Sequence, residues 1–246
     1  MKNRVILHFE ELLGAPHASM SDNSGHFIVS SLRDEIDETG SSIPFWAFKR
    51  KDAFIASVSP RIAEALPLKL HNFTFESISE KELSLAIHDA ISGVIPLQSF
   101  HTAYHFQCDV ASFRPAIVYH VRNLAKSDLP ALTSMEPGLD RQLAEPIEKE
   151  SAFGFYDEDR ILSCAWVRRY TSYAWDLFAY TLPEHRQRGF GKKVVTVAVK
   201  SAFNQGKDVV MTVRARDKSA LSFAESLGFN RYAKSLLAVS KPLPPE

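Results

Sequence analysis

LPEHRQRGFGKKVVTVAVKSAF, Leu182 to Phe203, runs two arginines and two glycines straight into a segment with helical periodicity. It puts Arg186, Arg188, Gly189 and Gly191 where a helix begins, and the first turn of a helix carries backbone N–H groups with no partner in the helix. Glycine lets a ligand approach that backbone because no Cβ intervenes. The positive end of the helix dipole adds attraction for an anion. The stretch therefore reads as an anion site, with the amides of Arg188 to Gly191 as main donors and the two guanidiniums as charge-assisted ones. A single phosphate and a diphosphate would fit alike, so these residues leave the ligand open. A Walker-type loop is excluded, because Lys192 and Lys193 follow the glycines with no hydroxyl to hold magnesium. A dinucleotide fingerprint fails for want of its third glycine.

The neighbouring segments fix the context. Before the loop, YAWDLFAYTL (Tyr173 to Leu182) reads as a strand; after it, a helix over Lys192 to Asn204 is followed by DVVMTVRA as a strand. SALSFAESLGF then reads as a helix ending at Gly228, and YAKSLLAVSK as a last strand. Upstream, SAFGFYDEDRILSCAWVRRY predicts a hairpin turning at DEDR. Ile117, Tyr119 and Val121 alternate as in a strand, and Ser127 is placed to cap a helix with Asp128 in its first turn. The predicted order is β, α, β, β, β, α, β, α, β.

The first hundred or so residues predict a small α/β unit. HFIVSSL (His26 to Leu32) and FWAFKRKDAFIASVS (Phe45 to Ser59) suit strands, separated by the polar stretches Ala15 to His26 and Asp34 to Pro44. Ser59 and Pro60 open a helix over PRIAEAL. Ser79 and Glu82 have capping-box spacing before a second helix, whose Leu83, Ala86, Ile87, Ala90 and Ile91 share a face. No catalytic motif falls in this part. Its aromatic groups, Ile43 to Phe48 and Phe100 to Phe106, read as packing in preference to a ligand pocket. His101 and His105, four apart, would share a helix face but have no carboxylate or cysteine beside them to complete a metal site. The C-terminal KPLPPE reads as a non-helical tail.

Composition narrows the partners. The 246 residues, 45% hydrophobic and 11% aromatic, are those of a packed globular chain. With 29 basic against 29 acidic residues there is no global basic field, so nucleic acid is not the expected partner. Two cysteines, Cys108 and Cys164, make no disulfide framework, and no leader-like segment or long apolar run is present. A cytoplasmic protein without a membrane partner is the expectation.

RQRGFG, Arg186 to Gly191, matches the arginine-or-glutamine, x, x, glycine, x, glycine-or-alanine signature of the GNAT N-acetyltransferase superfamily. The family's second element, Asn, x, x, Ala, seven residues, Gly-Phe, is similar to Asp217, Ala220, Gly228 and Phe229 at the same spacing. The resemblance spans about 130 residues. It implies an α/β protein of α+β layering: residues 115–246 as a GNAT fold with a central mixed, mostly antiparallel sheet flanked by helices, and residues 1–114 as a smaller N-terminal α/β domain. It also implies acetyl-coenzyme A as co-substrate, no metal, a small-molecule or peptide amine as acceptor, and dimers as a frequent state. By the same resemblance the diphosphate lies on Arg186, Gln187, Arg188, Gly189, Phe190, Gly191 and Lys192. The pantetheine arm runs beside Thr181 and Leu182, toward Asp217 and Ala220.

Chemistry departs from the family pattern at two places. The tyrosine that often protonates the departing thiolate, seven residues after the Asn position, is here Ala224, and Asp217 replaces the Asn itself. Direct transfer needs a base for the amine and a donor for the thioester oxygen. Asp176, on the strand beside the cofactor, is the candidate base, though its facing depends on a one-residue register. Glu184 and His185 read as partners of nearby arginines, Tyr173 and Tyr180 as packing residues, and Cys164 as an inert buried thiol. The expected function is acetyl transfer to a primary amine. Its rivals are a cofactor-binding module without turnover and an enzyme using a longer acyl group.

Overall fold

The computed structural model describes residues 4–20, 25–37, 40–51, 53–66 and 79–240. The elements are α1 (Arg4–Leu13), β1 (Gly25–Val29), β2 (Phe45–Arg50), β3 (Ala53–Val58), α2 (Pro60–Ala63), α3 (Glu80–Ser92), β4 (Leu97–Cys108), β5 (Val121–Asn123), α4 (Leu129–Met135), α5 (Leu139–Glu148), β6 (Ala152–Asp157), β7 (Arg160–Arg168), β8 (Ala174–Thr181), α6 (Phe190–Asn204), β9 (Asp208–Arg214), α7 (Lys218–Ser226) and β10 (Asn230–Ser240). The chain divides into two compact units, the first made of Met1–His105, Val213–Lys218 and Arg231–Glu246, the second of Phe106–Thr212 and Ser219–Asn230. The first unit holds the strand order β1-β3-β2-β10-β4, and the second β9-β8-β7-β6-β5.

In the first unit β2 and β3 form an antiparallel hairpin, and β1 runs parallel to β3 from Gly25↔Phe54 to Val29↔Val58. The other edge of β2 is covered by β10, antiparallel from Lys234↔Lys49 to Ala238↔Phe45. The first unit thus joins residues of the expected N-terminal domain, 1–114, with the C-terminal strand β10. The edge of β2 needs backbone partners, and the C-terminal strand supplies them. Phe45, Ala47, Ala56 and Val58 pack against Ile62 of α2 and against Leu83, Ile87 and Ile91 of α3. The capping box at α3 is formed, with Ser79 Oγ accepting from Glu82 N–H and Glu82 Oε2 accepting from Ser79 N–H. Val5, Phe9 and Leu13 of α1 are buried, and the Phe9 ring meets Phe48 at 4.7 Å, His105 at 4.9 Å and Tyr232 at 5.7 Å. The aromatic groups of Phe45 to Phe48 serve as core, as expected.

His101 and His105 lie on β4, not on a helix. His105 is fully buried; its Nε2 is hydrogen-bonded to Ser235 Oγ at 2.5 Å, and the same oxygen accepts Trp46 Nε1–H at 2.8 Å. Burial, with the nearby His8, pushes the His105 pKa down to about 3, so the ring is neutral and serves packing.

In the second unit β6, β7 and β8 are antiparallel, with β5 beside β6. The hairpin is where DEDR predicts it. α4 and α5 cover one face through Leu132, Leu139, Leu143 and Ile147, packed with Ile161, Cys164 and Trp166. α6 buries Val194, Val195, Ala198, Val199 and Ala202. The predicted strand through Ile117 and Tyr119 is corrected: only Val121–Asn123 pair, and Ile117 is 85% exposed. Pro115 has no N–H, and that of Ala116 is given to Thr196 Oγ1, leaving no ladder to extend. Ser127 sits inside a single 3-10 turn and does not cap; Asp128 Oδ2 does the tying, accepting from Ala125 N–H at 2.8 Å and Tyr156 O–H at 2.9 Å. The tail from Lys241 lies outside the described residues.

Candidate cofactor and catalytic site

The site begins with a strand pair that stops early. β8 and β9 are parallel and pair only through Ala174↔Asp208, Trp175↔Val209 and Asp176↔Val210, whereas β8 continues to Thr181. On its other side β8 stays paired with β7 as far as Ser163↔Thr181. The β9-facing backbone groups of Leu177–Thr181 thus have no β9 partner among the described residues. Backbone donors and acceptors in such a gap can be satisfied by a ligand carrying amides of its own.

The open edge leads into the glycine loop. After a 3-10 turn at Pro183–His185, Gln187 has φ +61° and Gly189 φ +82°, two left-handed residues that turn successive amides inward before α6 starts at Phe190. The Lys193 N–H closes the first helical bond on Gly189 C=O at 3.3 Å, so those of Phe190, Gly191 and Lys192 precede the helix ladder. A Cβ at position 189 would meet nothing within 4 Å, so the cradle is open. Gly191 has a different use: a Cβ there would lie 3.2 Å from Thr181 Oγ1 and 3.4 Å from the Phe223 ring, so its absence lets α6 close on β8 and α7.

The side chains are more constrained than the sequence implies. Arg186 Nε donates to Thr181 C=O at 3.1 Å, and Arg188 Nη1 meets His185 Nδ1 at 3.0 Å while its guanidinium lies 5.0 Å from the Phe190 ring. Glu184 Oε1 accepts from Arg160 at 3.3 Å, so Glu184 and His185 are arginine partners, as expected. Leu182 is buried, and its N–H continues the ladder to Leu162 C=O. Gln187 is exposed. Phe190 turns its ring to Phe155, stacked at 4.2 Å and 15°. Asp217 immediately precedes α7 and Ala220 lies in its first turn. A residue just before a helix suits a capping side chain, where Asp and Asn serve about equally.

The facing of Asp176 is settled by its strand neighbours. Phe178 stacks on Trp166 at 5.5 Å and Tyr180 O–H donates to Glu136 Oε2 at 3.0 Å, both on the α4/α5 side. Alternation puts Asp176 on that face, opposite Arg168 of β7. A cavity of about 560 Å³ opens on the same side between α4 and the β6–β7 turn, lined by Ser134, Met135, Asp157, Asp159, Arg160 and Leu182 among others. Asp176 does not line it. Burial raises the Tyr180 pKa, with Glu136 adding to the effect, and pushes the Cys164 thiol up to about 12, so Cys164 is no nucleophile at neutral pH.

Sequence reasoning passed over Lys193. It is buried in the first turn of α6 with its ammonium 3.3 Å from the Tyr119 ring centroid, 4.9 Å from that of Phe155 and 5.4 Å from that of Phe190. The signal was present: a lysine at 193 interrupts the apolar face begun by Val194 and Val195.

Residues 152–238 match the family described as FR47-like protein. The matched segment runs from β6 into β10 and includes the glycine loop. Among solved structures, a GNAT-family acetyltransferase from Colwellia psychrerythraea is similar over 66% of this chain and 62% of its own, with 17% identity and TM-score 0.51. A GCN5-related N-acetyltransferase from Sphaerobacter thermophilus covers 69% of this chain and 58% of its own at 11% identity and TM-score 0.50. This chain thus spans less than two thirds of the length of either protein. A Drosophila protein covers 98% of this chain and 88% of its own, at 11% identity and TM-score 0.52. No curated protein matches in sequence. At these identities the likeness to the solved structures is one of fold. No helix among the described residues is long and apolar enough to cross a membrane.

Proposed function

We propose that this chain is an acyl-coenzyme A-dependent N-acyltransferase, with acetyl as the acyl group and a primary amine of a small molecule or peptide as acceptor. The observation that carries the reading is the parting of β8 from β9 after Asp176↔Val210, directly before a loop whose amides precede the helix ladder. Amides of Phe190, Gly191 and Lys192 would hold the diphosphate, and the β9-facing edge of Leu177–Thr181 would pair with the amides of the pantetheine arm.

In the transfer, the amine nitrogen attacks the thioester carbonyl, the C–N bond forms and the C–S bond breaks. Asp176, on the α4/α5 face of β8, takes the proton lost by the amine. Ala224 is fully buried and has no hydroxyl to give the thiolate its proton, which then comes from water. That same alanine favours the second reading, a domain that binds the cofactor without turnover.

Calorimetric titration with acetyl-coenzyme A, repeated on Gly189→Asp, tests the reading. Binding should fall by at least about a hundredfold, since aspartate adds negative charge to the cradle and a side chain at φ +82°. Thiol release with one member of an amine panel would establish turnover. Binding without release would support the second reading, and no binding by the unaltered chain would reject both.

A further inference from the structure

We infer that Lys193 is a positioning residue for the diphosphate cradle, holding the first turn of α6 through Tyr119, Phe155 and Phe190 while its charge meets no carboxylate among the described residues. The inference rests on the proposed cofactor reading. Lys193 is only 7% exposed, and no carboxylate lies within 4 Å of its ammonium among the described residues. Removing a charge from water without an ionic partner is costly. Here the compensation within the protein comes from ring faces, Tyr119 at 3.3 Å foremost.

A leucine would continue the apolar face of α6 without that cost, so the ammonium needs a use that a leucine lacks. Phe190 supplies the connection. It is a wall of the aromatic box and also the first helical residue, whose N–H belongs to the cradle, and Phe155 pins its ring. Lys193 thus fixes the direction of the amides and leaves a positive charge for the ligand's diphosphate to neutralise.

The test compares coenzyme A with pantetheine, which has the arm and lacks the diphosphate, on the full chain and on Lys193→Met and Lys193→Arg, at low and high salt. Lys193→Met should weaken coenzyme A binding about tenfold, flatten its salt dependence and leave pantetheine binding unchanged. Lys193→Arg should recover most of the loss. Unchanged coenzyme A binding in Lys193→Met, or equal weakening of both ligands, would overturn the inference while leaving the cofactor reading intact. An unaltered chain that binds neither ligand would reject the cofactor reading and this role with it. If Lys193→Met fails to fold, Tyr119→Leu at a half-exposed position serves instead, with the same expected split between the two ligands.

Discussion

Two strand-to-helix junctions in this molecule are built alike and end differently. β3 enters α2 through Ser59 and Pro60: Ser59 Oγ accepts the Arg61 N–H at 3.0 Å, and Pro60 has no N–H to satisfy. β8 enters α6 through Gly189, which has no side chain to cap with and takes φ +82°. The first junction satisfies its own donors and the second leaves them for something else. A helix start becomes a ligand site when the chain withholds the cap, and one residue type makes the difference. The same contrast holds around them. In the first unit, Ser235 Oγ serves both His105 and Trp46, and Ser57 Oγ donates to Leu13 C=O at 2.7 Å. In the second, β8 beyond Asp176 has no β9 partner among the described residues.

The contrast can be attacked at several points. The largest effect is expected at the open junction's strand. Asp176→Asn should lower turnover at least about a hundredfold with acetyl-coenzyme A affinity little changed, measured by thiol release under saturating cofactor. Turnover that survives would move the base elsewhere on the α4/α5 face. Next comes the closed core of the first unit. His105, with its pKa near 3, stays neutral in the fold, while an unfolded chain takes up a proton below its ordinary value of 6.5. Stability is therefore full above that value and is lost as pH falls toward 3. Between pH 7.5 and 5 the loss should be about 2 kcal/mol, read from urea unfolding, and His105→Leu should flatten the slope. An unchanged slope would mean that His105 is not the group responsible. The smallest effect belongs to the capped junction. Ser59→Ala should cost about 1 kcal/mol without creating an anion site, because Pro60 still lacks an N–H and α2 is a single turn. Pyrophosphate binding gained by that variant would break the comparison.

Much of the site was legible. The loop from Arg186 to Gly191, the hairpin at DEDR and the capping box at Ser79 follow from local rules, because turn chemistry and capping act over a few residues. Lys193 was not, since its box is assembled from Tyr119, Phe155 and Phe190, far apart in sequence. β4 and α5 also escaped. The even spacing of His101 and His105 fits a strand face as well as a helix face, and Pro146 masks the Leu139, Leu143, Ile147 stripe.

The sequence by itself determined the withheld cap: glycine at 189 and 191 and serine-proline at 59 and 60 set which helix start keeps its donors, whatever surrounds them. Only the tertiary structure decided where β8 leaves β9, which face carries Asp176, and that the last strand completes the first unit's sheet. Those depend on hydrogen-bond registers between segments distant along the chain, and a register is set by what each strand finds beside it.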